Sequence, residues 1–191
     1  MKKTVALLAI IVVLSLIVIV FAQEAKKAEV SKFKYIGVKK CKMCHKGPKK
    51  GNIFETWQER SHSKAYATLA SDESKEIAKK AGIEGDPQKA AECLSCHVTG
   101  YSASADAKMK TLTLEEGVSC EACHGPGSVY KKSSIMKGIN KGTMKGTDHG
   151  LIEPVKEVCV KCHNPKSPTY KEFVFEEAKK AIAHPLPKKV E

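Results

Sequence analysis

Four copies of one short pattern hold every cysteine in this chain: Cys41-Lys42-Met43-Cys44-His45, Cys93-Leu94-Ser95-Cys96-His97, Cys120-Glu121-Ala122-Cys123-His124 and Cys159-Val160-Lys161-Cys162-His163. Each reads C-x-x-C-H, the spacing for covalent attachment of a c-type haem. Two thiols three residues apart reach the two vinyl groups on one porphyrin edge, and the next imidazole swings beneath the plane to ligate iron. The chain has eight cysteines and none is left over, so the reading is four covalently bound c-type haems. Cys41, Cys44, Cys93, Cys96, Cys120, Cys123, Cys159 and Cys162 would carry the thioether links, with His45, His97, His124 and His163 as proximal ligands to haem iron. Paired thiolates also build tetrahedral zinc sites, but zinc does not require a histidine after every pair. A disulfide framework suits an exported chain, yet its cysteines would not repeat at one short fixed spacing. A thioredoxin-like redox motif would occur once, near a βαβ pattern that is absent here.

Three of the seven histidines lie outside the motifs: His62, His149 and His184. In a small multihaem chain each iron presents a second face that needs a strong neutral donor, so these three are read as distal ligands. Three irons would then be bis-histidine and one would lack a histidine in its sixth position. That iron would take Met109, Met136 or Met144, or stay five-coordinate; Met43 lies inside its own motif and is poorly set. A methionine ligand would raise that haem's potential relative to its neighbours, whereas an open position would admit a small molecule. Glu92, Tyr101 and Glu116 are near the second motif in sequence and are the candidate acid–base groups, although the preferred reading of each is an ordinary helix-end or loop residue. No catalytic residue is assigned.

The elements that must position these groups are short. Asn52 to Ala70 reads as a helix carrying Trp57, Ser61 and His62, with Asn52 as its cap, and Asp72 to Ala81 as a second, stopped by Gly82. Asp86-Pro87 reads as a helix start leading into the second motif. Gly125-Pro126-Gly127 bars a helix and lets the backbone approach a porphyrin closely. Residues 137 to 150, rich in glycine, read as a surface loop holding His149. Glu153-Pro154 restarts a helix into the fourth motif, and a last helix spans Thr169 to about Ala183, with Val174, Ala178 and Ile182 on its packing face. No strand pattern appears. The fold class is therefore mainly α and loop-rich, a small multihaem cytochrome in which the haems form the core.

At the N-terminus, Lys2 and Lys3 precede a nearly unbroken apolar run from Val5 to Phe21, and Val20-Phe21-Ala22 offers a cleavage site before Gln23. Residues 1–22 are expected to be a signal peptide. The run approaches a membrane span in length, so an uncleaved N-terminal anchor is the alternative. Residues 23–34 read as a charged linker and 35–191 as the tetrahaem domain, exported to the periplasm or the extracellular space. The formal charge of +12 is roughly halved once haem propionates are added and Lys2 and Lys3 removed. The lysines are scattered, with a single arginine. That excludes a nucleic-acid reader, which would cluster arginine with aromatics, and leaves a solvated surface or steering toward an acidic redox partner.

Several longer stretches resemble the cytochrome c554 family of tetrahaem proteins: Trp57 to His62 (W-x-x-x-S-H), Cys96-His97-Val98-Thr99-Gly100-Tyr101, Gly117 to Gly127 through the third motif, and His184-Pro185-Leu186-Pro187. The likeness spans roughly 35 to 187. It implies a mostly helical fold around haems packed in stacked and perpendicular pairs, with three bis-histidine irons and one five-coordinate iron, the second in chain order. Carried onto this chain, His97 would serve the open iron, and His45, His124 and His163 would share His62, His149 and His184; a pairing of His184 with the first haem is the expectation.

Three functions compete. The first is a carrier that relays single electrons between exported redox partner proteins. The second is an enzyme acting on nitric oxide, hydroxylamine or nitrite at the open iron. The third is a subunit of an extracellular cytochrome filament, which would need self-association. The expectation is the electron carrier rather than the enzyme.

Overall fold

The computed structural model describes residues 32–185. The N-terminal segment 1–22, nearly all of the linker 23–34, and Leu186-Pro187 lie outside the described residues. From Phe33 onward the chain forms one compact unit. It is built from short helices joined by long loops: α1 Val38–His45, α2 Ile53–Glu59, α3 Ala65–Thr68, α4 Asp72–Lys80, α5 Ala91–His97, α6 Cys120–His124, α7 Ser133–Asn140, α8 Lys156–Cys159 and α9 Phe175–Ile182. Among the described residues β-structure is limited to one parallel bridge between Tyr35 and Lys108. No described helix is long and apolar enough to cross a membrane. The fold is mainly α and loop-rich.

Local chemistry explains most boundaries and corrects several expectations. The helix expected over 52–70 is broken. Arg60 is extended (ψ 160°), a 3-10 turn covers Ser61–Lys64, and only then does α3 begin. Ser63 secures the break, its hydroxyl donating to the carbonyls of Gln58 and Arg60, the competition with the helix ladder that serine favours. Asn52 is left-handed and makes no side-chain cap. Helix α4 follows its sequence signals: Ser71 caps it by accepting from Ser74 N, and Gly82 (φ +73°) ends it while Ile83 N donates to Ala78 O. Asp86-Pro87 forms a turn instead of a helix start. The Asp86 carboxylate accepts from Gln88 N, Ala90 is extended, and α5 starts only at Ala91. The last helix begins at Phe175 rather than Thr169. The expected loop 137–150 contains the end of α7 and a 3-10 turn, Gly146–His149. Gly138 inside α7 masked that helix in the sequence. Its missing side chain is what admits Met144, whose Sδ would lie 2.7 Å from a Cβ there.

The polypeptide core is thin. Leu69, Leu94 and Val98 form one buried cluster, with Tyr66, Cys93 and Tyr101 packed against it. Ile36, Val38, Phe54, Ala78, Ala107 and Tyr130 are buried elsewhere. The third-motif segment, residues 116–130, joins the pieces. Ile36 and Gly37 donate backbone N–H groups to the Glu121 carboxylate, and Val38 to Glu116. The Trp57 indole donates to Val118 O at 2.9 Å, and Val118 N to His62 O at 3.0 Å. Thr99 donates to Gly117 O and accepts from Ser119 N. Ile152 N donates to His124 O. The first motif, the His62 turn, the second motif and the approach to the fourth all meet on this strip.

Candidate haem-binding site

Three of the four motifs close a helix on their histidine: His45 ends α1, His97 ends α5 and His124 ends α6. In a helix the cysteines at i and i+3 and the histidine at i+4 share one face, so local folding alone aims both thiols and the imidazole the same way. In the fourth motif α8 ends at Cys159, yet His163 N still donates to Cys159 O at 3.0 Å, which preserves the helical turn. All eight thiols are free.

The thiols of different motifs come together in pairs. Cys41 and Cys120 lie close enough for their thiols to interact, and that interaction is the main cause holding the Cys41 thiol far above its ordinary value and pulling Cys120 below it. Cys162 Sγ lies 3.8 Å from Cys96 O, and burial followed by the nearby Cys96 thiol pushes Cys162 up to about 12. The first motif therefore neighbours the third, and the second neighbours the fourth. Burial and then the charge of Cys159 push Cys123 up to about 11, which links the third motif to the fourth.

Two of the three remaining histidines face motif histidines. The rings of His62 and His163 stand 6.0 Å apart between centroids, as do those of His124 and His184. Imidazoles bound end-on from opposite faces of one metal, each at about 2 Å, have ring centres roughly 6 Å apart. The His184 ring thus faces that of His124, and its charge is also felt at His45, the first motif's histidine with which the expectation paired it. Phe173 stacks on His163 at 4.8 Å and 17°, which fixes that ring's plane. His184 Nδ1 donates to Pro185 O, leaving Nε2 for a metal. His97 Nδ1 donates to Ala65 O at 2.7 Å, which sets the tautomer in the same way. His149 is half-buried at the end of its 3-10 turn. Among the described residues no second imidazole ring meets His97.

Burial, joined by neighbouring imidazoles, lowers His45, His62 and His124 below the ordinary histidine range. These rings are neutral donors at neutral pH, the form that ligates a metal. Thiols in pairs, histidines sharing their face and opposed imidazole rings fit covalently held haem.

The candidates for other roles go elsewhere. Met43 is 77% exposed, Met144 packs on Gly138, and Met109 is partly exposed beside Tyr35, to whose carbonyl its N–H donates. Glu92 is exposed on α5, and Tyr101 packs on the Leu69 cluster. Glu116 is 8% exposed and bound to Val38 N. Burial, against that bond, raises its carboxyl to about 7. Its Oε1 has no hydrogen-bond partner. Glu121, 1% exposed, accepts from Ile36, Gly37 and Gly127, and burial still holds it above its usual range. Its role was hidden in the sequence because it fills a variable position of the C-x-x-C-H pattern. The signal was a carboxylate there in one motif of four.

Comparison with known proteins points the same way. The family model "Cytochrome c554 and c-prime" matches residues 40–125, a stretch holding the first three motifs and His62. Cytochrome c-554 of Nitrosomonas europaea is 28% identical over 137 residues, covering 66% of this chain and 56% of that protein's length. The solved structure of the reduced state of cytochrome c554 from Nitrosomonas europaea superposes with a TM-score of 0.51 at 27% identity, covering 78% of each chain.

Proposed function

We propose that the chain is a cytochrome of the c554 type with covalently bound c-type haem, supported by the family-model match over residues 40–125 and by the likeness to cytochrome c-554, and that it is an exported tetrahaem electron carrier. The observation that carries the proposal is the pairing of the attachment sites, Cys41 with Cys120 and Cys96 with Cys162. Haem supplies a reversible one-electron centre; the chain supplies spacing, axial donors and a dry surround. Attachment points in contact bring the porphyrins they hold close together, the condition for rapid exchange of single electrons within each pair, and the Cys123–Cys159 proximity joins the pairs into one array.

Ligation follows the facing rings for two haems, His124 with His184 and His163 with His62. His149 then remains for His45 or His97, and the family resemblance favours His45, with His97, whose inner nitrogen is fixed by Ala65 O, serving the open iron. An open iron of that kind is what the second reading needs, an enzyme that binds a nitrogen oxide there. The carrier is preferred because it needs only closely packed attachment sites; among the described residues Glu92 faces solvent and Glu116 is bound to α1. Redox partner proteins complete the function.

Intact mass and pyridine haemochrome measurements on the purified protein are expected to give four haems per chain. Stopped-flow reduction with less than one electron equivalent is expected to end with the electron shared among several haems within the mixing time. Three haems or fewer, or reduction confined to one haem over seconds, would contradict the proposal.

A further inference from the structure

Six lysines, Lys39, Lys40, Lys42, Lys46, Lys49 and Lys50, fall within residues 39–50, and that stretch has no acidic residue. The neighbouring carboxylates are committed. Glu55 accepts from Gly47 N, Glu116 from Val38 N, and Glu115 feels the charge of Lys39. The ion pairs found among the described residues, Lys75 with Asp72 and Lys89 with Asp86, lie on and beside α4, elsewhere in the chain. The segment is also held in place. Gly47 and Gly51 take positive φ around the 3-10 turn Pro48–Lys50, and Gly51 N closes the turn on Pro48 O. Lys42 lies over the Phe54 ring at 4.6 Å. Lys50 is close enough to act on His45.

Charge alone does not single out this face, since residues 131–145 carry five lysines and no acid. What singles it out is a thiol. Cys44 alone among the eight cysteines is exposed, and Met43 beside it is 77% exposed. Exposed Lys39, Lys46, Lys49 and Lys50 flank these two exposed residues along the chain, so an apolar side chain and several cations share this stretch of surface. Small transient interfaces combine the two, apolar in the middle and charged at the rim.

We propose that the lysine-rich segment 39–50, with exposed Met43 and Cys44 in it, is the docking site for an acidic one-electron protein, whose carboxylates surround its own cofactor edge. The inference rests on the electron-carrier reading and adds where the partner binds and what its surface must be. A cationic face steers such a partner diffusionally and orients it, affecting association rate more than affinity. An anionic membrane is the poorer occupant. Val38, the other large apolar residue of α1, is buried, so the helix has no apolar face to insert.

The test uses the holoprotein with an acidic flavodoxin as probe. Lys46→Glu, Lys49→Glu and Lys50→Glu together are expected to slow electron exchange with reduced flavodoxin by about tenfold or more at low salt. The difference is expected to close near 1 M salt, where the Debye length falls to about 3 Å. A charge-matched control, Lys79→Glu, Lys80→Glu and Lys89→Glu, is expected to change the rate by less than about twofold. Flavodoxin is expected to broaden amide resonances within 39–50. Equal effects of the two triple variants, no effect of either, or broadening elsewhere would overturn the proposal. So would binding to phosphatidylglycerol vesicles, but not flavodoxin, that is lost in the first variant. Failure of the fully haem-loaded wild type to exchange electrons with flavodoxin and with small one-electron reagents alike would instead strike the carrier reading itself.

Discussion

Two buried carboxylates at the start of α1 show how much of this fold rests on single residues. Glu121 takes three backbone N–H groups and Glu116 a fourth. Together they satisfy donors that a helix start leaves open and tie the first motif to the third. Glu116 is the weaker member, with one oxygen unpartnered and its carboxyl raised to about 7. A carboxyl raised on folding binds its proton more tightly in the native state. Its contribution is most favourable below the ordinary carboxylate range, where it is neutral in both states, and is lost as pH rises toward 7. Glu116→Gln is therefore expected to leave thermal stability nearly unchanged at pH 4 and to raise it at pH 8 by roughly 1–3 kcal/mol. Thermal unfolding of both proteins at the two pH values checks this; a variant less stable at pH 8 would show that the ionised form is the one the fold prefers. The residue scale is also where the sequence was most and least legible. The motif cysteines and histidines stand out in the sequence because covalent attachment to a rigid ring would dictate their spacing. The two glutamates do not, because the groups they tie down at the start of α1 are backbone N–H groups about eighty residues away. Glu116 was considered only as an acid near the second motif, and the structure commits it to the first.

At the scale of elements, the broken helix over 52–70 is the instructive case. Its apolar and small residues favour continuation, but His62 is positioned by tertiary bonds: Val118 N holds its carbonyl and Trp57 anchors α2 to Val118 O. The resulting 3-10 turn presents the His62 ring to His163. Gly117 makes that approach possible. It has φ +62°, and a Cβ there would lie 2.9 Å from His62 O and 3.2 Å from Ser63 O. Gly117→Ala combines backbone strain with that clash, at a cost of roughly 1–3 kcal/mol. It is expected to push the His62 turn off and convert about one low-spin haem in four to high spin. Optical and paramagnetic-resonance spectra of the variant report this directly. Unchanged spin states would mean that His62 is held independently of Gly117. Helix boundaries were poorly legible for the same physical reason. The stretches 86–90 and 169–174 have local helix signals, but a side-chain–backbone bond at Asp86 and extended backbone before Phe175 set the real starts.

At the scale of the molecule, the mainly α, loop-rich class was legible from composition and motif spacing. A chain with few aromatics and four haem-attachment motifs has little apolar material to bury except the cofactors. The described core, one cluster around Leu69 and a few isolated buried residues, bears that out. The pairing of motifs one with three and two with four was not readable from residue spacing, because it depends on how the 116–130 strip gathers segments distant in sequence. It is this pairing and the two histidine couples, together with the family resemblance that puts the open iron at His97, that underlie the proposed array of three bis-imidazole irons and one open iron. Electron paramagnetic resonance of the oxidised holoprotein, with and without nitric oxide, tests that array most directly. The account predicts a high-spin ferric component of about one haem in four that nitric oxide alters, over a low-spin remainder. A wholly low-spin spectrum, unmoved by nitric oxide, would contradict it.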